Sequence, residues 1–498
     1  MKRTARIDAD NACRRSWMKA TVGGCAALTN TSLLSTIFNL SATNAAVGQQ
    51  AGLGGYRAMV CVFLFGGNDS YNLLSPATGS DRNDYVAARG GVYAPGNGAL
   101  ALAADASMNI SNPIDGKQYM LHPSMTGVKS LYETGKLTFL CNIGSMVGPT
   151  TRSDYDASLN LPLGLFSHAD LQQHWMTTVP QTRSQVDGWV GRMADVVTGD
   201  SGVLTNPNIS MNMAVDTVNL LQTGGTTVPY VLGQNGATEV GMYGQNWTQA
   251  KIFTQMTDDY LSRSYNNLLE RTFANQNKIA LEAAIEYNDA ANSDAVRNLV
   301  DQHFPDTSTT LSNRLRRVAR TIAASGALDV GTAPTLGQSR QTFFVSQDGY
   351  DHHDELINAQ SDKLDELDTA LTQFQNCMDA LGVADDVTTF TASDFARTLN
   401  SNGKGSDHAW GGISMVMGGS VYGSGNTPRF FGEYPSLAFN TDLDLGRGRL
   451  LPTLSVDEMA CELAMWYGVP NDGDMEQILP NIRNFHPAGG TRPIGMLG

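Results

Sequence analysis

Short runs of apolar residues, each followed by glycine or polar residues, recur along the chain. Four of them cover residues 59–65, 137–141, 342–345 and 387–390. Uninterrupted apolar runs of this length, bounded by turn residues, are typical of parallel strands that are buried on both faces. The pattern therefore predicts an α/β fold with a central, mostly parallel sheet.

Amphipathic segments between these runs predict helices that flank the sheet. Residues 354–381 place apolar side chains three or four positions apart, which is the spacing of one helix face. Residues 124–132 lead into the second apolar run. Residues 455–467 begin with Ser455 and Glu458 at the spacing of a capping box.

One segment, at about residues 255–325, has a helical pattern but is polar, rich in Asn and Gln, and without strand signals. We interpret it as a helical insertion over the sheet, and both a lid and a separate subdomain stay open. Residues 75–120 are rich in Gly, Asn, Asp and Ala and are expected to form a long excursion after the first strand. The predicted organisation is one α/β domain over residues 47–498 with this insertion.

Residues 1–46 predict an export signal rather than part of the fold. Arg14 and Arg15 precede a mildly apolar stretch, and residues 41–46 are small, as a signal peptidase requires. The segment resembles a twin-arginine signal peptide, whose route carries folded proteins. It implies the twin-arginine export machinery as a partner and a periplasmic or secreted location. The alternatives are a basic N-terminus on a cytosolic protein and lipidation at Cys25.

Composition and charge narrow the class of protein. Of the 498 residues, 41% are hydrophobic and 16% are charged, and the formal net charge is −15. This composition is globular, and its acidity argues against a nucleic-acid partner because phosphate backbones attract basic surfaces. Beyond the N-terminal segment, no apolar run has the length of a membrane span. Free buried thiols, or one disulfide as the alternative, are expected for Cys61, Cys141, Cys377 and Cys461.

Aspartates and histidines gather where the predicted strands end. In open α/β sheets, ligands bind beyond the carboxyl ends of the strands. Divalent cations prefer carboxylate oxygen, and Zn or Mn also accept imidazole, so this mixture predicts a site for Zn, Mn, Mg or Ca. The candidate metal ligands are Asp69, Asp351, His353, Asp394 and His408. Asp394 has a competing interpretation, in which it starts a helix and pairs with Arg397.

Ser167 and His168 form the candidate catalytic pair. Ser167 precedes a helix-like run that begins near Ala169, so its hydroxyl is expected at a helix N-terminus near the strand ends. The alternative is that Ser167 only caps this helix. Structural or surface roles are expected for the histidines without such a setting, which are His122, His174, His303 and His486.

Five motifs resemble a known family. They are FGGNDSYN at residues 65–72, LFSHAD at 165–170, GYDHH at 349–353, TASDFART at 391–398 and DHAWGG at 407–412. In this order, over roughly residues 55–470, they resemble the family of unknown function numbered 1501. Its members are typically bacterial, exported by twin-arginine signals and placed in the alkaline phosphatase and sulfatase-like superfamily.

The resemblance implies an alkaline phosphatase-like fold with a metal site at the strand ends. The residues that are similar to metal ligands of the superfamily are Asp69, Asp351, His353, Asp394 and His408. Asp394 stands where the family usually has glutamate, which is also an oxygen ligand. The sequence departs from the superfamily at Phe395, where a histidine is common.

Two functions are consistent with these observations. The first is an exported metal-dependent hydrolase of phosphate or sulfate monoesters, acting on a small anionic ester or a polysaccharide. The alternative is a non-catalytic exported protein on the same fold that binds a polysaccharide, a surface polymer or a protein partner. Asp and His at several strand ends favour the hydrolase, whereas the polar helical insertion and the incomplete ligand set favour the binding protein.

Overall fold

Strands of a mixed sheet form the centre of the computed structural model, which describes residues 55–199, 202–422, 427–469, 471–489 and 491–498. In chain order, the strands of this part are β1 (Arg57–Phe65), β2 (Leu74–Pro76), β3 (Asn109–Asn112), β4 (Lys117–Leu121), β5 (Leu137–Gly144), β6 (Asn212–Val215), β7 (Tyr230–Leu232), β8 (Arg340–Asp348), β9 (Val387–Ser393), β10 (Gly412–Gly418) and β11 (Leu454–Ser455). The predicted signal peptide lies outside the described residues.

The main sheet has eight strands among the described residues, in the order β11-β5-β10-β9-β1-β8-β6-β7. Every neighbouring pair is parallel except the two that involve β10, which runs antiparallel to β5 and β9. The excursion after β1 contains a small antiparallel sheet in the order β2-β4-β3. The prediction of an α/β fold with a mostly parallel central sheet is confirmed.

Helices cover the sheet and extend from it. In chain order, those of the described part are α1 (Ser70–Leu73), α2 (Gly79–Ala88), α3 (Thr126–Glu133), α4 (Arg152–Asp156), α5 (His168–Thr177), α6 (Trp189–Thr198), α7 (Thr248–Ser262), α8 (Leu268–Ala291), α9 (Asp294–Val300), α10 (Thr310–Ala323), α11 (Leu356–Leu381), α12 (Val456–Tyr467) and α13 (Asp472–Ile478). Across the described ranges, none of these helices is both long and apolar enough to cross a bilayer.

The core lies on both faces of the sheet, because successive side chains of a strand point to opposite sides. Val60 and Val62 of β1 pack into one apolar cluster, which includes side chains of α10 and α11. Cys61 and Phe63 pack into a second cluster, which includes side chains of α6 and α12. Burial on both faces explains why β1 is apolar from Ala58 to Phe65. The cysteines of the described part are buried and free, as predicted, and they are Cys61, Cys141, Cys377 and Cys461.

The region predicted as a helical insertion corresponds to α7, α8, α9 and α10. The start of α8 is solvent-exposed, with 62% of Leu268 and 59% of Phe273 accessible. Its second half instead enters the core, where the hydroxyl groups of Tyr287 and Thr321 are 2.6 Å apart. Helix α10, to which Thr321 belongs, therefore forms part of the helical layer on the sheet.

Candidate metal centre

The site lies at one edge of the main sheet. Asp351 and His353 follow the carboxyl end of β8, and Asp394 follows that of β9. Strand β10 runs in the opposite direction, so the loop before it, with Asp407 and His408, meets the same edge. Three separate segments thus deliver carboxylates and imidazoles to one place, as open α/β sheets do with their ligand sites.

Helix α5 brings a fourth segment to this edge. It begins at His168, and Ser167 is its N-cap, with the Ser167 hydroxyl accepting the Asp170 N–H at 3.5 Å. The preceding residue, Phe166, has a φ of 71°, a backbone conformation that L-residues rarely adopt. The Phe166 carbonyl oxygen lies 2.7 Å from Nδ1 of His408, so the strained turn aligns a hydrogen-bond acceptor with the site.

Three imidazole nitrogens surround one oxygen of Asp351. The Nε2 atoms of His168, His353 and His408 lie 3.5, 3.0 and 3.4 Å from Asp351 Oδ1, respectively. The Nε2 atoms of His353 and His408 are 2.9 Å apart. We call these four residues the His–Asp cluster. Its members His168, Asp351 and His408 place one potential ligand atom each within 4.8 Å of the others.

The second nitrogen of each ring identifies the tautomer. Nδ1 of His168 lies 2.6 Å from the Asp394 carboxylate, and Nδ1 of His353 lies 3.2 Å from the Asp407 carboxylate. Nδ1 of His408 faces the Phe166 carbonyl, which can only accept. With the carboxylates ionised, each Nδ1 therefore carries a proton, and in the neutral form of each ring Nε2 presents a lone pair to the cluster.

Arg397 supplies a buried positive charge beside Asp351. Its guanidinium is fully buried and donates to Asp351 Oδ1 at 2.9 Å and to the Gly66 carbonyl at 2.9 Å. Partial burial disfavours ionisation of Asp351, but the hydrogen bond and charge of Arg397, together with the neighbouring His353 and His168, lower the pKa of this carboxyl. A side chain at Gly66 would come within 2.4 Å of the Asp351 backbone nitrogen, which explains a glycine there.

Asp394 is buried behind His168. Its Oδ2 atom also accepts from the Gln172 side chain at 2.9 Å and from the Gly66 N–H at 3.3 Å. Burial raises the pKa of Asp394 above its ordinary value, and the hydrogen bonds from Gln172, His168 and Gly66 offset part of that effect. Asp394 Oδ1 is buried without a hydrogen-bond partner among the described residues. The sequence interpretation in which Asp394 pairs with Arg397 differs from the structure, where Arg397 bonds Asp351.

Asp69 lies apart from the His–Asp cluster in its contacts. Its carboxylate forms an ion pair with Arg89, and both side chains are fully buried. The Asp69 backbone carbonyl also accepts from Gln360 at 3.0 Å. A buried carboxylate with a guanidinium partner is already neutralised, so this arrangement favours a structural role over metal ligation.

Phe395 forms an apolar wall of the site. Its ring centroid lies 4.8 Å from that of His168 and 4.5 Å from that of His408. A Cβ at Gly67, whose φ is +82°, would come within 2.3 Å of this ring, so the glycine allows Phe395 to fill the space. The position that often holds a histidine in the superfamily is therefore apolar here.

Sequence reasoning missed Gln172 and Arg89, and it considered Arg397 only as a partner of Asp394. Arg397 and Gln172 each left a weak signal, since Arg397 belongs to one of the five motifs and Gln172 lies one helical turn after His168. Arg89 left none, because its partner Asp69 is 20 positions away and their contact depends on the path of the chain between them.

The similar solved structures share little sequence identity with this chain, and their TM-scores are low. The lipoteichoic acid synthase LtaP from Listeria monocytogenes is 8% identical, with 85% of this chain and 81% of that chain covered and a TM-score of 0.28. Ps i-CgsB in complex with k-i-k-neocarrahexaose is 10% identical, with 86% and 77% covered and a TM-score of 0.27. A second structure of Ps i-CgsB has a TM-score of 0.28. No curated protein matches the chain.

The sequence match to a protein family is extensive. It covers residues 56–442, which is most of the chain, and the family is described as protein of unknown function (DUF1501). The matched residues contain all five motifs on which the resemblance was based. The chain therefore belongs to this family.

Proposed function

We propose that this protein is an exported metal-dependent hydrolase of phosphate or sulfate monoesters. The observation that carries the proposal is the His–Asp cluster, in which three imidazole lone pairs and one carboxylate oxygen converge. Lone pairs of His353 and His408 that face each other across 2.9 Å repel unless a proton or a cation compensates them. This donor set supports a cation site.

The chemistry of the donors favours one ion rather than two. Imidazoles with a carboxylate suit Zn or Mn, whereas Mg and Ca prefer oxygen alone. We assign His168, Asp351 and His408 as the ligands, with His353 adjacent. A bound divalent cation would polarise the ester oxygen and stabilise negative charge that develops on it. Asp69, neutralised by Arg89, and the apolar Phe395 disfavour a second ion.

The protein's own residues would prepare this site. Asp394 and Asp407 hold the Nδ1 protons of His168 and His353, so that Nε2 of each ring stays available. Arg397 fixes the position of Asp351. Ser167 at the N-terminus of α5 is the proposed nucleophile, because its hydroxyl lies next to His168 in sequence and at the positive end of the helix dipole.

A non-catalytic binding protein is the second candidate. The observation that favours it is the ion pair of Asp351 with Arg397. This pair neutralises negative charge that would otherwise attract a divalent cation. Such a protein would use the same sheet edge for an exported polysaccharide, surface polymer or protein partner without hydrolysis.

The deciding experiment measures metal content and ester turnover on the purified mature protein. We expect about one Zn or Mn per chain, a rise in melting temperature when metal is added to chelated protein, and hydrolysis of chromogenic phosphate or sulfate esters. His408→Ala should abolish all three effects. His303→Ala, at a partly exposed histidine of the helical region, is the matched control and should keep them.

The pH dependence follows from the same groups. Burial lowers the pKa of His408, and Arg397 helps to lower that of Asp351, so both stay in the metal-binding form into mildly acidic solution. Metal affinity should fall below about pH 6, where imidazoles begin to protonate.

Absence of metal together with an unchanged melting temperature on adding Zn, Mn or Mg would refute the site. Metal binding without ester turnover would support the second candidate.

A further inference from the structure

A cavity of about 350 Å³ lies at the same edge of the sheet as the His–Asp cluster. Phe65 ends β1, Ser346 and Asp348 are in the last part of β8, and Asp216 follows β6. The volume is in the range of small-molecule binding sites. We call it the β6–β8 cavity.

A chain of hydrogen-bonded side chains links this cavity to the cluster. Gln172 lines the cavity, and its Nε2 atom donates to Asp394 at 2.9 Å. Asp394 in turn contacts His168 at 2.6 Å. Phe65, another lining residue, directly precedes Gly66, whose carbonyl accepts from Arg397. A ligand in the cavity is therefore adjacent to the groups that orient the cluster.

The charged groups that line the cavity carry no excess of positive charge. Asp216 bonds Arg314 at 2.7 Å and Arg317 at 3.2 Å, and Asp348 contributes a second carboxylate. The charged lining therefore consists of two carboxylates and one guanidinium, since Arg317 pairs with Asp216 but does not line the cavity. The cavity therefore lacks the excess of positive charge that would select a phosphate or sulfate group.

Backbone strain sets the position of this charged group. Asp216 has a φ of 70°, which is unfavourable for a residue with a side chain. The two arginines and the hydrogen bond from its N–H to the Leu232 carbonyl, at 2.8 Å, hold it there. Strain of this kind persists where surrounding contacts impose it, and it is concentrated at functional sites.

The other walls combine apolar surface with hydrogen-bonding groups. Phe65, Met176 and Leu220 are apolar, whereas Thr217 and Asn219 are polar and uncharged. A sugar ring presents an apolar face of C–H groups and a rim of hydroxyl groups, and aromatic and apolar side chains next to paired donors and acceptors match both.

We propose that the β6–β8 cavity binds an uncharged glycosyl unit of the substrate, next to the ester group that the cluster takes. This inference rests on the proposed function for its place in a reaction, but the binding of the sugar itself does not need hydrolysis. The substrate class is then a phosphate or sulfate ester on a neutral saccharide rather than a simple aryl or alkyl ester.

The test uses a substitution that fills the cavity and a matched control. Val218 lines the cavity and is 40% exposed, and Val240 does not line it and is 47% exposed. Val218→Trp should block the cavity, whereas Val240→Trp adds the same ring at another surface. Saturation-transfer NMR with neutral methyl glycosides and short neutral oligosaccharides, at millimolar concentration, measures binding to each full-length mature protein.

We expect binding of a neutral saccharide to the wild type and to Val240→Trp, and its loss in Val218→Trp. Binding should persist in His408→Ala, since that variant removes a cluster residue but leaves the cavity. For a hydrolysed saccharide ester, Val218→Trp should raise KM roughly tenfold or more, whereas Val240→Trp should keep the KM and turnover of the wild type.

The two proposals fail in different ways. No neutral saccharide binding to the wild type, or binding that Val218→Trp leaves intact, would overturn the cavity assignment even if esters are hydrolysed. Sugar binding that Val218→Trp removes, without hydrolysis of any ester, would support the cavity assignment and contradict the hydrolase.

Discussion

Two buried arginines each pair with one aspartate at the sheet edge, and the accessibility of that aspartate determines whether it can also bind a ligand. Arg89 pairs with Asp69, and Arg397 pairs with Asp351. The Asp69 side chain is fully buried, whereas nearly half of the Asp351 side chain is accessible. Asp351 can therefore meet a ligand while it bonds Arg397, but Asp69 is enclosed with its partner.

The prediction for Asp69 follows from this enclosure. Asp69→Asn leaves the Arg89 charge buried without a counter-charge, which should lower the free energy of unfolding by about 3–5 kcal/mol. Metal content should stay unchanged. Urea denaturation and metal analysis of the same preparation measure both quantities.

Asp81→Asn provides the matched control, because Asp81 and Lys117 form a solvent-exposed ion pair with its atoms 2.7 Å apart. Its removal should cost at most about 1 kcal/mol. Loss of metal in Asp69→Asn with normal stability would contradict our interpretation and would restore Asp69 as a ligand.

The sequence indicated which residues lie at the site, but it did not indicate which of them contact one another. Asp351, His353 and His408 were predicted to lie together because each stands next to a recognisable strand or motif. Their partners followed from the path of the chain instead. Arg397 is four residues from the end of β9 yet bonds Asp351 rather than Asp394, and only the turn geometry after the strand determines this.

Among the elements, the N-terminus of α5 has two potential roles. Ser167 caps the helix, but its hydrogen bond to the Asp170 N–H is long, at 3.5 Å. The same hydroxyl also bonds the Asp170 carboxylate and helps to lower the pKa of that carboxyl. A hydroxyl that accepts only weakly as a cap keeps an oxygen lone pair for nucleophilic attack.

Ser167→Ala separates these roles. We expect ester turnover to fall by several orders of magnitude at normal metal occupancy, with a loss of about 1 kcal/mol in stability from the missing cap. Thr309→Ala is the matched control, since the Thr309 hydroxyl caps α10 and accepts the Ser312 N–H at 3.2 Å. Near-wild-type turnover in Ser167→Ala would show that this serine caps the helix and is not the nucleophile.

Strands and helices with a strong hydrophobic pattern could be predicted from the sequence. Strands whose position and direction depend on the neighbouring strands could not. The runs at residues 59–65 and 387–390 became β1 and β9, and residues 354–381 became α11. Strand β10 was missed because glycines bound a short stretch interrupted by Ser414. Its antiparallel direction is a property of the sheet, since β5 and β9 on either side fix it.

At the scale of the whole molecule, the predicted export signal can be compared with the extent of the family match. The family match begins at residue 56, one residue before β1, so the predicted export signal at residues 1–46 lies outside the matched range. We propose that residues 1–46 direct the folded protein through the twin-arginine route to the periplasm or the exterior.

Exchange of the arginine pair tests this route. Replacing Arg14 and Arg15 with lysine keeps the charge but removes the pair, so the protein should accumulate in the cytoplasm. Cell fractionation gives its location, and N-terminal sequencing of the exported wild type should find cleavage near Ala45 or Ala46. The same exchange at Arg3 and Arg6 should leave export intact. Normal export of the variant at positions 14 and 15 would refute the assignment.

The place of β10 between β5 and β9 also bears on when the cluster can form. His408 reaches the Phe166 carbonyl across 242 positions of the chain, from the loop that precedes β10, and β10 itself lies between β5 and β9. Contacts between such distant segments form late in folding, because the entropy of closing long loops must be overcome first. A protein that crosses the membrane already folded would complete this strand in the cytoplasm. The cytoplasmic pool of metal ions, rather than that of the compartment in which the protein acts, would then determine which cation the cluster acquires.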